Sequence, residues 1–349
     1  MLARHPEEDD TNRREILASM TAAGLTLAGM PLPSRLHLPG KVNPEHIGQV
    51  RQLTETYRGW VYQHGASGQL QRSIARLLDH ATGMIARASD PQLRLTLLDA
   101  TADVANLAAY ACRDLGLHAY AQQHYLLSLQ AAQAAGDHAL AGHAVVRMAG
   151  HHIELAQPHE VLAYLDAARK TTRFTAGERS NQYAIEAWAR AQSAMAQGVH
   201  RAVGHAEEES GRADDRSGPG WRVRHVAEAE LYSLTGAGYA ELARHDPAQA
   251  PEAIRRLTAA LDLRGIDGAR NATLDRISLA EAHLAAHNLT EALHAGNDAV
   301  DSASHSSSRR VRVRLDELAR QLHPHHTHAH AAEVIHKISF ASNRQPETS

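Results

Sequence analysis

From about His46 onward, apolar and small residues recur at three- and four-residue spacing, and no run alternates with period two for long. That is the spacing of helices that bury one face, and it predicts an all-helical chain. Breaks fall at Gly116, Gly136-Asp137, Pro158, Gly198, Asp246-Pro247 and His287-Asn288. Around each break a helix ends, a short polar turn follows, and a second helix opens on an aliphatic residue or proline. These second helices start near Leu117, Pro158, Val199, Pro247 and Leu289, in steps of 41, 41, 48 and 42 residues. A near-constant period of this size marks an array of helical hairpins. The one long step holds Ser217-Gly218-Pro219-Gly220, which reads as an extended loop between repeats.

The clearest unit runs from Leu279 to Leu293 and closes with Ala299-Val300. It resembles a tetratricopeptide repeat. In that family a small residue lets the paired helices approach, here Ala280, and small residues on the second helix pack back, here Ala292 and Ala299. Ala121, Tyr125 and Ser128 reproduce the second-helix pattern, as do Ala253, Leu257 and Ala260. The resemblance implies an all-α fold, a right-handed α-solenoid of tetratricopeptide-like hairpins. Four segments follow: a leader (1–45), N-terminal capping helices (46–90), the repeats (91–308), and C-terminal capping helices with a tail (309–349). The run Leu107 to Gly116, then Ala121 to Tyr125, Ala134 to Asp137 and the Leu140 to Ala149 helix, is similar to the tetratricopeptide sensor region of actinobacterial XRE-type transcriptional regulators. Regulators of that kind that bind DNA carry a helix-turn-helix domain ahead of this region. The leader has no room for one, so direct DNA binding by this chain is not expected. An in-frame helix-turn-helix upstream would reverse that expectation.

Composition sharpens the picture. Only 14 residues are aromatic against 65 alanines, a mixture suited to close helix packing and not to a β-sandwich. Basic and acidic residues nearly balance, 36 against 39, which argues against a generally cationic nucleic-acid binder. The single cysteine, Cys112, excludes an internal disulfide and any cysteine-based zinc module.

Asn12-Arg13-Arg14-Glu15-Ile16-Leu17 resembles a twin-arginine export motif, followed by an uncharged stretch to Ser34. Acidic residues ahead of the arginines, a mild apolar stretch and the lack of a cleavage site favour a cytoplasmic protein, with twin-arginine export of a scaffold as the alternative. The stretch is too interrupted to span a bilayer.

The 26 histidines are the oddity. His323, His325, His326, His328, His330 and His336 crowd one short stretch that reads as a solvated turn, and His151-His152 and the His283/His287 pair read as helix-surface residues. None of them forms a metal-ligand motif, so no metal and no cofactor is expected, and a histidine-dependent metalloenzyme is the weakest reading. So many imidazoles predict pH-dependent solubility or self-association. Cys112 sits among alanines and reads as packing. No nucleophile elbow, phosphate loop or dinucleotide fingerprint occurs, so the chain reads as a non-enzyme. Arg309 to Arg314 reads as a solvated basic face, and Glu207 to Glu209 with Asp214-Asp215 as a surface segment.

What remains is the concave face, lined by the first helices of successive pairs. By register with the Leu279 unit, Asn106, Arg113, His143, Arg147, His151, Glu154, Trp188, Glu228 and Glu281 are its candidate binding residues. Asn can grip a peptide backbone and Arg can clamp a carboxylate. The expected function is a ligand-sensing or protein-interaction module linked to transcriptional regulation. It would take a peptide, a small signal molecule or a protein partner in the concave groove, with a homodimer compatible with that role.

Overall fold

The computed structural model describes residues 38–171, 174–214, 218–265 and 268–343. The twin-arginine-like segment 12–34, the rest of the leader to residue 37, and the tail from 344 lie outside them. No strand occurs among the described residues. The helices are α1 (Pro44–His64), α2 (Gly68–Ile85), α3 (Pro91–Asp114), α4 (His118–Ala135), α5 (His138–Glu154), α6 (Pro158–Thr171), α7 (Ala176–Gln192) and α8 (Ala196–Gly211). They continue with the short α9 (Gly220–Val223), then α10 (Glu228–Ala243), α11 (Ala250–Leu263), α12 (Ala269–Ala285), α13 (Leu289–Ala303), α14 (Arg309–Leu322) and α15 (Ala329–Asn343). No described helix is long and apolar enough to cross a membrane.

Local chemistry sets the helix starts. Asn43 caps α1, accepting from the His46 amide (3.1 Å) while the His46 ring accepts from the Asn43 amide (3.2 Å), and Pro44 opens the first turn. Thr175 and Glu178 form the same reciprocal box on α7. Both arrangements satisfy amides that a helix leaves unpaired at its N-terminus.

The turn inside a hairpin also repeats. Gly116, Ala156, Ala194 and His287 all take positive φ, at 73, 51, 54 and 57°. In each case the next amide donates back five residues: Leu117 to the Cys112 carbonyl (2.8 Å), Gln157 to His152 (3.0 Å), Met195 to Arg190 (2.9 Å) and Asn288 to His283 (2.9 Å). This left-handed helix stop satisfies the last carbonyls of one helix and aims the chain into the next. Only the first of the four uses glycine.

Small residues fix the helix pairs. Ala121, Tyr125, Ala253, Leu257, Ala260, Ala280, Ala292 and Ala299 are all fully buried. Backbones approach closely enough for the Ser128 hydroxyl to reach the Ala102 carbonyl (2.8 Å) and for Ser180 to reach Ala206 (2.7 Å). Between hairpins, a Cβ on Gly238 would lie 3.3 Å from the Trp188 Cα. The pairs α3/α4, α5/α6, α7/α8, α10/α11, α12/α13 and α14/α15 stack as an α-solenoid, first helices inside and second helices outside.

The inner layer does not stay open. It curves until α1 meets α12 and α3 meets α14. The Ser307 amide and the Ser306 hydroxyl both donate to the His64 carbonyl, at 2.9 and 3.2 Å, joining residues 242 apart in the chain in the second case. Gly65 (φ 81°) permits this seam, because a Cβ there would lie 2.8 Å from the Ser308 Cβ. The solenoid therefore closes on itself.

Candidate functional site

Each inner helix brings one stripe of side chains to the centre. Spacings of three and four place Tyr110 and Arg113 on one face of α3, Arg147 and Gly150 on α5, Ile185 and Trp188 on α7, and Glu230, Ser233, Leu234 and Ala237 on α10. Asn271, Leu274, Asp275 and Ser278 come from α12, and Arg310 and Arg314 from α14. Together with Ile153 and His225 they surround a cavity of about 70 Å³.

The charges around it do not balance evenly. Glu154 accepts from Arg113 Nη2 (2.5 Å) with the same oxygen that pairs with Arg310 Nε. Burial would push its carboxyl up, but Arg113 and then Arg310 outweigh that and hold it well below the usual range. Arg310 sits in the converse situation. Burial, with Arg113 and Arg270 nearby, brings its guanidinium down to about 10 even though Glu154 opposes the shift. Arg314 donates to Glu281 (2.6 Å). On the far wall Arg264 pairs with Asp275 and with Glu230 (3.3 Å), and the Ser233 hydroxyl adds a bond to Asp275 (2.5 Å). Arg147 has no carboxylate partner. Its guanidinium lies 4.3 Å over the Tyr110 ring. Burial raises the Tyr110 hydroxyl, but Arg270, Arg147 and Arg310 together bring it below the ordinary phenol value.

Closure is organised by Asp114, which is fully buried at the end of α3. One carboxylate oxygen accepts from the Ala66 amide (2.8 Å), the other from the Ser308 hydroxyl (2.7 Å) and from Arg270. Arg270 also donates to the Tyr110 hydroxyl (2.6 Å) and to Asn271 (2.7 Å). One carboxylate thus ties the α1–α2 loop, α12 and α14 to α3.

The segment before α10 crosses this interior. Trp221 is buried among Ala102, Ala131, Ala132, Leu140 and Ala141. Arg222 donates to Glu178 (3.2 Å), the His225 carbonyl accepts from Asn181 (3.0 Å), and Arg224 lies over the Tyr62 ring. The stretch expected as an extended loop between repeats, described from Gly218, leads into an internal strap, because Trp221 finds an alanine-lined slot. His143 packs on Trp221 (ring centroids 4.5 Å apart) and meets His225 edge-on (4.6 Å).

The nine residues predicted for a concave groove separate as follows. Arg113, Arg147 and Trp188 line the cavity. Glu154 and Glu281 stand behind it as partners of its arginines. Asn106, His143 and His151 are buried deeper. Glu228 is exposed in the first turn of α10, away from the interior. Contact between the two ends of the array narrows the inner face to this cavity. Several expectations are corrected with it. Arg310 and Arg314 are not a solvated basic face: their four-residue spacing turns both inward to Glu154 and Glu281. His143, His151, His152 and His225 are buried rather than scattered on helix surfaces. His287 is not a helix-surface residue, because α12 ends at Ala285 and His287 occupies the left-handed turn.

Burial drives three of these imidazoles down. His143 and His225 fall well below their ordinary value, with neighbouring cations adding to the effect. His151 falls to about 3 through burial and Arg113, against the pull of Glu154, and its ring nitrogen lies 2.9 Å from that of His118. The cluster from His323 to His330 is exposed or nearly so. No three His, Cys, Asp or Glu side chains among the described residues converge as a metal site. Cys112 is fully buried, and burial pushes its thiol up to about 12. Sequence reading missed Tyr110, Asp114, Trp221 and Arg270, whose partners lie far away in the chain. Only the inward spacing of Arg310 and Arg314 was available as a local signal.

No protein-family model matches the chain, and no curated protein matches it. Among solved structures, a Signal Transduction ATPase with Numerous Domains (STAND) protein with a tetratricopeptide repeat sensor, from Pyrococcus horikoshii, is similar over 97% of this chain at 11% identity, with a TM-score of 0.49. The chain spans 57% of that protein's length.

Proposed function

We propose that this chain is a non-catalytic sensing module. In this reading, occupancy of the closed interior by a small molecule governs how firmly the two ends of the array hold together, and a protein partner reads the outcome. The observation that carries the reading is the convergence of six inner helices on one arginine-rich cavity of mixed lining whose wall is continuous with the closing seam. A cavity of about 70 Å³ is far below the several hundred that drug-sized ligand sites occupy. A peptide would need the ring opened, so a small molecule is the favoured occupant. Binding that prefers the closed state shifts the population toward it by the difference in affinity between the two states. The link to transcription rests on the sequence resemblance alone.

The test is melting and hydrogen exchange of the purified chain with the low-molecular-weight fraction of a cell extract. The expected result is a higher melting temperature and slower exchange in α1, α12 and α14. A chain indifferent to every such fraction would count against sensing.

A further inference from the structure

We propose that the interior is a site for a small oxyanion, a carboxylate or phosphate group, with Arg147 as its principal ligand and Arg113 and Arg314 beside it. The proposal rests on the sensing reading and names the chemistry of the occupant.

Arg147 is 9% exposed and faces the cavity, yet no acceptor lies on its guanidinium. Its one contact of charge is the Tyr110 ring, 4.3 Å away. A ring face attracts the cation but accepts none of the N–H donors in the guanidinium plane. Two further donors on the same wall are stranded. Arg113 Nε and Arg314 Nε are buried and have no acceptor, although other nitrogens of both side chains are engaged by Glu154 and Glu281. A buried donor without a partner is costly, and these two, beside an Arg147 fork that has no acceptor, mark the place for one the chain does not supply.

The charge count agrees. Four guanidinium groups line the cavity, those of Arg113, Arg147, Arg310 and Arg314, against the two carboxylates of Glu230 and Asp275. Both carboxylates are already held by Arg264. Glu154, just behind the wall, is shared between Arg113 and Arg310. The Arg147 side therefore carries uncompensated positive charge in a place where water screens it little. Planar guanidinium forks match the spacing of two oxygens on carboxylate or phosphate. The volume admits a few waters or one such group, which limits the ligand to a small acid or to the anionic head of something larger.

The experiment compares melting temperatures at pH 7.5 in sodium chloride and in inorganic phosphate or succinate, at equal ionic strength and about 10 mM anion. Wild type is set beside Arg147→Met, Arg147→Lys and Arg255→Gln, the last an exposed control. Wild type and Arg255→Gln should gain about 2–4 °C from phosphate or succinate. Arg147→Met should melt above wild type in chloride, since it deletes an unpaired buried charge, and should not respond to either anion. Arg147→Lys, which keeps the charge but loses the fork, should respond less and by calorimetry bind about tenfold more weakly. It carries the test if the methionine variant does not fold. Which anion acts, phosphate or succinate, identifies the head group. Equal responses in wild type and both Arg147 variants, or none in any, overturn the proposal. If the anions fail while an extract fraction still stabilises wild type, the sensing reading survives and only the oxyanion falls. If both fail, both are lost.

Discussion

The substitution that most directly tests closure is Asp114→Asn. The carboxylate is fully buried and Arg270, its partner, is 1% exposed. Asparagine keeps one oxygen and turns the other into a donor. Either the Ala66 amide then faces an NH₂ group, or Arg270 and the Ser308 hydroxyl do. In both arrangements a buried guanidinium loses its counter-charge. Stripping one member from a buried pair costs about 3–5 kcal/mol, a loss of roughly 4–7 °C in a chain of this size. Hydrogen exchange should accelerate first in α1, α12 and α14, while α7 and α8 stay protected, because repeats in a solenoid lean mainly on their neighbours. Adding Arg270→Met should recover more than half of the loss, since the second change removes the stranded cation. An Asp114→Asn protein that melts within about 2 °C of wild type, with protection unchanged across the seam, would refute the idea that this carboxylate holds the ring shut.

Three further outcomes are expected. The folded chain keeps His143, His225 and His151 neutral below their ordinary pKa, so unfolding takes up protons first; their contribution is complete above about pH 6.5 and falls as pH drops toward the folded values. Between pH 7.5 and 5 that amounts to about 2 kcal/mol for each, and a melting temperature flat over this range would contradict it. Ala156→Gly, Ala194→Gly and His287→Gly each relieve a left-handed residue and should raise stability by about 1 kcal/mol in urea melts, whereas Gly116→Ala should lower it by a similar amount. Trp221→Ala should cost about 3–5 kcal/mol and lose the emission of a buried indole; a variant as stable as wild type would show that the strap is not anchored there.

The hairpins were legible because their signals are local. A small residue such as Ala280 or Ala292 and a stop such as Gly116 or His287-Asn288 announce a helix pair within some forty residues, and those are the places where pairs form. Even there the left-handed residues at 156, 194 and 287 were hidden, since alanine and histidine do not advertise that conformation. Closure was illegible for a different reason. Asp114 meets Arg270 and Ser308 across 156 and 194 residues, and neither partner carries a local mark. Whether an inner stripe faces water or another stripe depends on the summed curvature of the array. Small rotations per repeat set that curvature, and no single repeat encodes it. Arg113 and Arg147 could thus be placed on the inner face from register, while the meaning of that face stayed out of reach.

Closure also changes what a linear array can do. In an open solenoid a ligand stiffens the repeats it touches, and the effect fades with distance. Here the residue that carries the unpaired charge and the residue that holds the seam meet on one ring: Arg147 lies over Tyr110, and Arg270 both lies over that ring and donates to its hydroxyl. Arg270 is in turn clipped to Asp114. Neutralising positive charge at Arg147 removes repulsion felt by Arg270 and leaves it freer to pair with Asp114. The reverse also holds by linkage, since loosening the seam weakens whatever the interior binds. Tyr110 lines the cavity and Arg270 alone stands between it and Asp114, so the cavity and the joint between the two ends of the array lie close enough for electrostatics to couple them.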